Sequence, residues 1–109
     1  MKKSCLIITE NPDNPDLIHT CEELEGLGFK VFLETTIDDT NDLYSWYWII
    51  LALDDIEKLK DLAKIINGTL LDSAKIILQE PFDVVTELQK QGNEVYSDWN
   101  NFLSRNFFI

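Results

Sequence analysis

Apolar residues in this chain fall into short unbroken runs and helical repeats, and the two kinds alternate from end to end. Cys5 to Thr9 is a short apolar run and predicts a buried first strand. Asn11-Pro12-Asp13-Asn14-Pro15 is a turn. Asn14 suits the cap of the next helix and Pro15 its first position, where a missing N–H has no helical partner anyway. Leu17, Ile18, Cys21, Leu24 and Leu27 then recur at helical spacing, with Glu22, Glu23 and Glu25 on the outer face. Gly26 and Gly28 stop that helix, and Phe29 to Glu34 reads as a second strand. Thr35 to Tyr44 is polar and acidic, too short for a full helical crossover, and predicts a loop with room for one helical turn. Trp46 to Leu53 is continuous and bulky, as a central strand covered on both faces requires.

The second half repeats the pattern. Asp54 with Glu57 makes an acidic capping box, and Ile56, Leu59, Leu62, Ala63 and Ile66 face inward up to Gly68. Ala74 to Gln79 is a fourth strand. Pro81 starts a third helix with Val84, Val85 and Leu88 inward and Gly92 as its stop. Glu94 to Tyr96 is a short fifth strand, and Ser97 or Asp98 caps a last helix carrying Trp99, Phe102, Leu103 and Phe107. Alternating strands and helices predict one α/β domain over residues 1–109. Its sheet is mostly parallel, with four or five strands in the flavodoxin-like order 2-1-3-4-5 and helices on both faces. The alternative is a mixed sheet in which strands two and three pair antiparallel across the acidic loop.

Composition then narrows function. The chain has 109 residues, 45% of them hydrophobic, enough for a core. Its 20 acids and 9 bases leave a net charge of −11, which argues against nucleic acid and anionic membranes as partners. No apolar run approaches the roughly 20 residues that span a bilayer. After Met1-Lys2-Lys3 the apolar stretch reaches only Ile8, unlike a signal peptide. Cys5 and Cys21 read as buried reduced thiols, and no CxxC or Cys/His cluster suggests zinc, so a cytoplasmic location is expected. The charge is also segregated. Residues 10–55 hold twelve acids and one base, Lys30, and so carry the whole net charge, while the acids and bases elsewhere cancel. A field of one sign on one side of a small domain steers a partner of the opposite sign.

Each predicted strand is followed closely by an acid: Glu10, Glu34, Asp54, Glu80 and Asp98. In an open α/β sheet this is the edge where ligands bind. Such acids also cap the following helices. Glu10 and Asp13 after strand one, Asp54 and Asp55 after strand three, and the step Gln79-Glu80-Pro81-Phe82 give a layout similar to bacterial response-regulator receiver domains. The resemblance implies a Mg²⁺ site made of Glu10, Asp13 and Asp54 in a degenerate signalling domain. The departures are Glu80 in place of the family's lysine before the proline, and a proline step after the fourth strand. Without that lysine an acyl-phosphate loses its counter-charge.

Other catalytic chemistry has little to stand on. His19 is the single histidine, with no nucleophile at a recognisable spacing, and Thr9 to Asp16 contains no glycine to cradle phosphate. The aromatics are more informative. Tyr44, Trp46, Tyr47 and Trp48 cluster beside Asp38, Asp39 and Asp42, with Trp46 and Trp48 expected on one strand face and Tyr47 on the other. Most of them belong in the core, yet acids around a few aromatics also make a protein-binding patch. Phe107-Phe108-Ile109 either closes the core or makes an oligomer contact.

These features together predict a non-enzymatic, acidic binding module without a cofactor. It docks on and neutralises a basic protein, such as a toxin or nuclease, in the manner of immunity or antitoxin proteins or phage-encoded inhibitors. The predicted contacts are Glu22, Glu23, Glu25, Asp38, Asp39, Asp42 and Tyr44.

Overall fold

The first apolar run becomes the middle of a sheet. In the computed structural model, which describes residues 3–35, 46–68 and 74–107, the elements are β1 (Lys3–Thr9), α1 (Pro15–Gly26), β2 (Phe29–Glu34), β3 (Trp48–Ala52), α2 (Ile56–Asn67), β4 (Lys75–Ile77), α3 (Phe82–Lys90), β5 (Glu94–Tyr96) and α4 (Trp99–Phe107). The five strands are all parallel in the order β2-β1-β3-β4-β5. This is the doubly wound order expected from the alternation. The mixed alternative fails because β1 lies between β2 and β3 and pairs parallel with both, Cys5 meeting Val31 on one side and Trp48 on the other. β2 therefore ends at the carboxyl ends of the strands, and β3 begins at their amino ends. The predicted acidic loop itself falls almost wholly at 36–45, outside the described residues.

Alternation along β1 feeds two cores. Leu6 and Ile8 point to a layer made by α2 and α3, where Leu59, Leu62, Ala63, Ile66 and Leu88 are buried. Cys5 and Ile7 point to the layer of α1 and α4, where Leu17, Leu24, Trp99, Phe102 and Leu103 are buried. Asn93, buried between α3 and β5, satisfies both ends of its amide. Its Nδ2 donates to Leu88 O (3.1 Å), and its Oδ1 accepts from Ala74 N (3.0 Å).

Several local expectations change. Ile18 and Leu27 are 46% and 49% exposed, while Thr20 is buried and donates its hydroxyl to Asp16 O (2.8 Å). The inward stripe is Leu17, Thr20, Cys21 and Leu24. Ile18 is turned roughly 100° from Leu17, and Leu27 is already the C-cap. Gly28 alone of the pair at that end takes positive φ (97°); Gly26 is still helical. The cap of α2 is Asp55 rather than Asp54, its Oδ1 accepting from Lys58 N (3.2 Å). Trp46 and Trp48 serve opposite layers. Trp46 packs with Phe32 on the α2/α3 side, and Trp48 with Phe29 and Phe102 on the α1/α4 side, together with Tyr47. The strand starts at Trp48, so its alternation does not reach back to Trp46. Phe107 closes the α1/α4 core against Trp48 and Phe29; Phe108 and Ile109 lie outside the described residues.

Both cysteines are free thiols, Cys5 buried and Cys21 half-buried. Among the described residues no helix is long and apolar enough to cross a membrane.

Candidate functional site

All strands run one way, so every helix N-terminus lies at their carboxyl edge. β1 connects outward to β2 and β3 outward to β4, which leaves a crevice where the two connections part. A cleft of about 330 Å³ opens there. Four loops line it. The first supplies Thr9, Asn11, Asn14 and the start of α1 at Asp16; the second supplies Asp54; the third Gln79 and Glu80; the fourth Ser97, Asp98 and Trp99. Asp16, Asp54, Glu80 and Asp98 give it four carboxylates, and among its described lining residues there is no Lys, Arg or His.

Hydrogen bonds set the walls. Asn11 N donates to the buried Thr9 Oγ1 (3.1 Å), which turns the chain as it leaves β1. Asn11 Nδ2 then donates to Asp54 Oδ2 (3.3 Å) and ties the first wall to the second. Asn14 Oδ1 caps α1 by accepting from Asp16 N (2.9 Å), as expected. Asp98 Oδ1 caps α4 by accepting from Asn101 N (2.7 Å), and Ser97 N donates back to Asn101 Oδ1 (3.2 Å). Pro81 caps α3 with no side-chain bond. The carboxylates face the partly positive ends of the helices, so their mutual repulsion is partly offset by the fold itself.

Of the five acids that follow the strands, the structure brings Asp54, Glu80 and Asp98 into the cleft. Glu34 ends β2, outside the cleft, and Glu10 is exposed without lining it. Asp13 is exposed and likewise outside the cleft. Among the described residues no group of three or more His, Cys, Asp or Glu side chains could hold a metal ion, so Glu10, Asp13 and Asp54 do not assemble the Mg²⁺ site that the receiver resemblance implies. Glu22, Glu23 and Glu25 occupy the second half of α1, which runs back toward the other edge of the sheet; Glu23 is 4.0 Å from the exposed His19. Asp38, Asp39, Asp42 and Tyr44 lie outside the described residues.

Asp16 is not among the acids that the strand ends predict at this edge. Its signal in the sequence is its place in the first turn after the cap, which a parallel sheet aims at the crevice. Six of the eight described cations lie toward the opposite edge, and Lys58, in the first turn of α2, donates to Thr35 O (3.0 Å) instead. Lys3 and Lys75 start strands, Lys30 is the second residue of β2, and Lys64, Lys90 and Arg105 occupy the last turns of α2, α3 and α4. Among them Lys75 lies inside the fourth predicted strand. Its Nζ pairs with Glu94, contacts Asn106 Oδ1 (3.3 Å) and Tyr96 Oη (3.5 Å), and sits 4.7 Å from the Trp48 ring centroid. Charge at that edge is mixed, because α1 ends there in Glu22, Glu23 and Glu25 and Glu94 starts β5 beside Lys75.

Comparison with known proteins finds no matching family model, curated protein or solved structure.

Proposed function

We propose that this chain is a non-enzymatic binding module whose carboxylate-lined crevice receives basic side chains of a protein partner. The observation that carries the reading is the composition of the cleft, with four carboxylates and no cationic side chain among its described lining residues. Its volume is at the small end of ligand clefts, room for one or two side chains rather than a large cofactor. Guanidinium groups fit such a site best, because a planar fork of N–H donors meets carboxylate oxygens two at a time. The net charge of −11 adds long-range attraction, which speeds encounter and fades with salt. Glu22, Glu23 and Glu25 would widen the footprint along α1, and Asp38, Asp39, Asp42 and Tyr44 remain proposed contacts.

A module of this kind neutralises a basic enzyme by presenting carboxylates where nucleic-acid phosphates would otherwise bind. An immunity, antitoxin-type or phage-encoded inhibitor of a nucleic-acid-acting enzyme is the class that fits. Two free thiols are in keeping with the reducing cytoplasm as its compartment.

The test is an affinity capture from the native host with wild type beside a triple variant, Asp54→Asn, Glu80→Gln and Asp98→Asn. Each change keeps shape and removes charge. A basic protein held by wild type at low salt, released at high salt and not held by the variant is the expected result. Equal capture by both proteins, or capture indifferent to salt, would sink the reading.

A further inference from the structure

The two edges of the sheet are finished differently. β5 has three residues, and its Val95 and Tyr96 are buried. β2 has six, pairs among the described residues only with β1, and leaves Lys30, Leu33 and Glu34 exposed with Val31 and Phe32 half-buried. An edge of that length is a template for another strand. We propose that β2 pairs antiparallel with β2 of a second copy of this chain, joining two five-stranded sheets into one.

Self-complementarity of the edge is what selects a second copy. Phe29 and Val31 pack toward the α1/α4 layer and Phe32 toward the α2/α3 layer, so Lys30, Phe32 and Glu34 share one face and Val31 and Leu33 the other. Lys30 Nζ, 5.1 Å from the Phe32 ring centroid, lies on that shared face. A two-fold axis through Phe32 sets Phe32 opposite its own counterpart. Lys30 then stands across from the second copy's Glu34, and Glu34 across from the second copy's Lys30. On the other face Val31 meets the second copy's Leu33, and Leu33 its Val31. Opposite charges, aromatic pairs and apolar pairs are the cross-strand combinations that stabilise sheets. Sliding the register by two residues either way removes both charge pairs. Sliding it by four sets Lys30 against Lys30, or Glu34 against Glu34. One register therefore satisfies every exposed side chain, and it is isologous, as a closed dimer requires.

The proposal is independent of the acidic crevice, which lies outside the strand ends rather than along this edge. Sedimentation velocity on the purified chain tests it, with protein up to about 1 mM. Wild type is expected to reach twice the 12.7 kDa protomer mass. K30E creates two like-charge pairs across the axis, and E34K does the same with the opposite sign. Each alone is expected to weaken self-association about tenfold or more. K30Q and E34Q, which remove an attraction without creating a repulsion, fall between. Mixed in equal amounts, K30E and E34K restore opposite charges at both positions and are expected to form a heterodimer. Net charge alone orders the variants differently, because E34K is less negative than wild type and would self-associate better. Wild type that stays monomeric throughout, dimers that persist in K30E and in E34K separately, or a K30E and E34K mixture that stays monomeric would each overturn the proposal. Circular dichroism of both single variants confirms that loss of mass reflects the edge and not the fold.

Discussion

Lys75 and Glu94 open adjacent parallel strands at paired positions, and their side chains form an ion pair, with the Lys75 ammonium over the face of Trp48. The pair is asymmetric in burial. The Lys75 side chain is 14% exposed and that of Glu94 53%. The lysine is the costly member to bury, and Glu94, Tyr96, Asn106 and the indole ring together replace its water. The pair holds the short strands β4 and β5 in register, where few backbone bonds are available.

The hydrogen bond from Lys75 holds the Glu94 carboxyl below its ordinary range, against partial burial that raises it, and the Tyr96 hydroxyl adds to the lowering. A carboxyl lowered in the folded state binds protons more readily in the unfolded chain. Its contribution is full above the unfolded glutamate pKa of about 4.3 and is lost as pH falls through the folded value. Glu94→Gln is expected to destabilise at pH 7 and to narrow the stability gap to wild type as pH falls from about 5 to about 3. Urea unfolding at a series of pH values reads this directly. A gap that stays constant across the window would remove Glu94 from the acid response.

Asp98 has two roles that chemistry can separate. It caps α4 and contributes charge to the cleft. Asp98→Asn keeps an oxygen for Asn101 N and removes the charge, so stability is expected to stay close to wild type. Asp98→Ala loses the cap and is expected to cost about 1 kcal/mol in chemical denaturation. Partner binding is expected to fall in both variants alike. If Asp98→Asn were as unstable as Asp98→Ala, charge at the helix terminus would outweigh the cap.

The alternation of runs and repeats made the parallel sheet and its strand order legible, because only crossover connections join strands separated by helices. It also located the acids at the carboxyl edge, since strand ends are easy to see. Legibility failed where geometry depends on distant partners. Which of Asp54 and Asp55 caps α2 depends on where the helix starts, and both are acids in a loop. Trp46 and Trp48 look alike in a continuous run, yet their layers are decided by where pairing with β1 begins. Lys75 hid inside an apolar strand because its counter-charge, Glu94, is remote in sequence and adjacent only once β4 and β5 align.

Phe102 is the hub of the α1/α4 core, fully buried with Trp48, Tyr96, Trp99 and Phe107 rings around it at centroid distances of 5.3–6.4 Å. Edge-to-face contacts of this kind add to the apolar area that the ring buries. Phe102→Ala is expected to cost about 3–5 kcal/mol, with Phe102→Leu considerably milder because it leaves a smaller void. Thermal unfolding followed by tryptophan fluorescence measures both. Loss below about 1 kcal/mol in Phe102→Ala would mean that the neighbouring rings collapse into the space.

The two thiols are protected to different degrees. Burial, reinforced by Cys21, pushes the Cys5 thiol up to about 12, so almost no thiolate forms at neutral pH. Cys21 is raised as well, first by burial and then by the nearby Glu25 and Glu22 carboxylates. Labelling of the native protein with a disulfide reagent at pH 8 is therefore expected to be slow, with Cys21 reacting well before Cys5. Glu22→Gln combined with Glu25→Gln removes the anions that oppose thiolate formation, and is expected to speed the Cys21 reaction without changing that of Cys5. In Cys21→Ser the remaining thiol is inside the sheet, and its labelling rate is expected to follow global unfolding and rise with urea. Rapid modification of both cysteines in native protein would contradict this ordering, because a thiol under the α1 layer reacts quickly only when that layer opens.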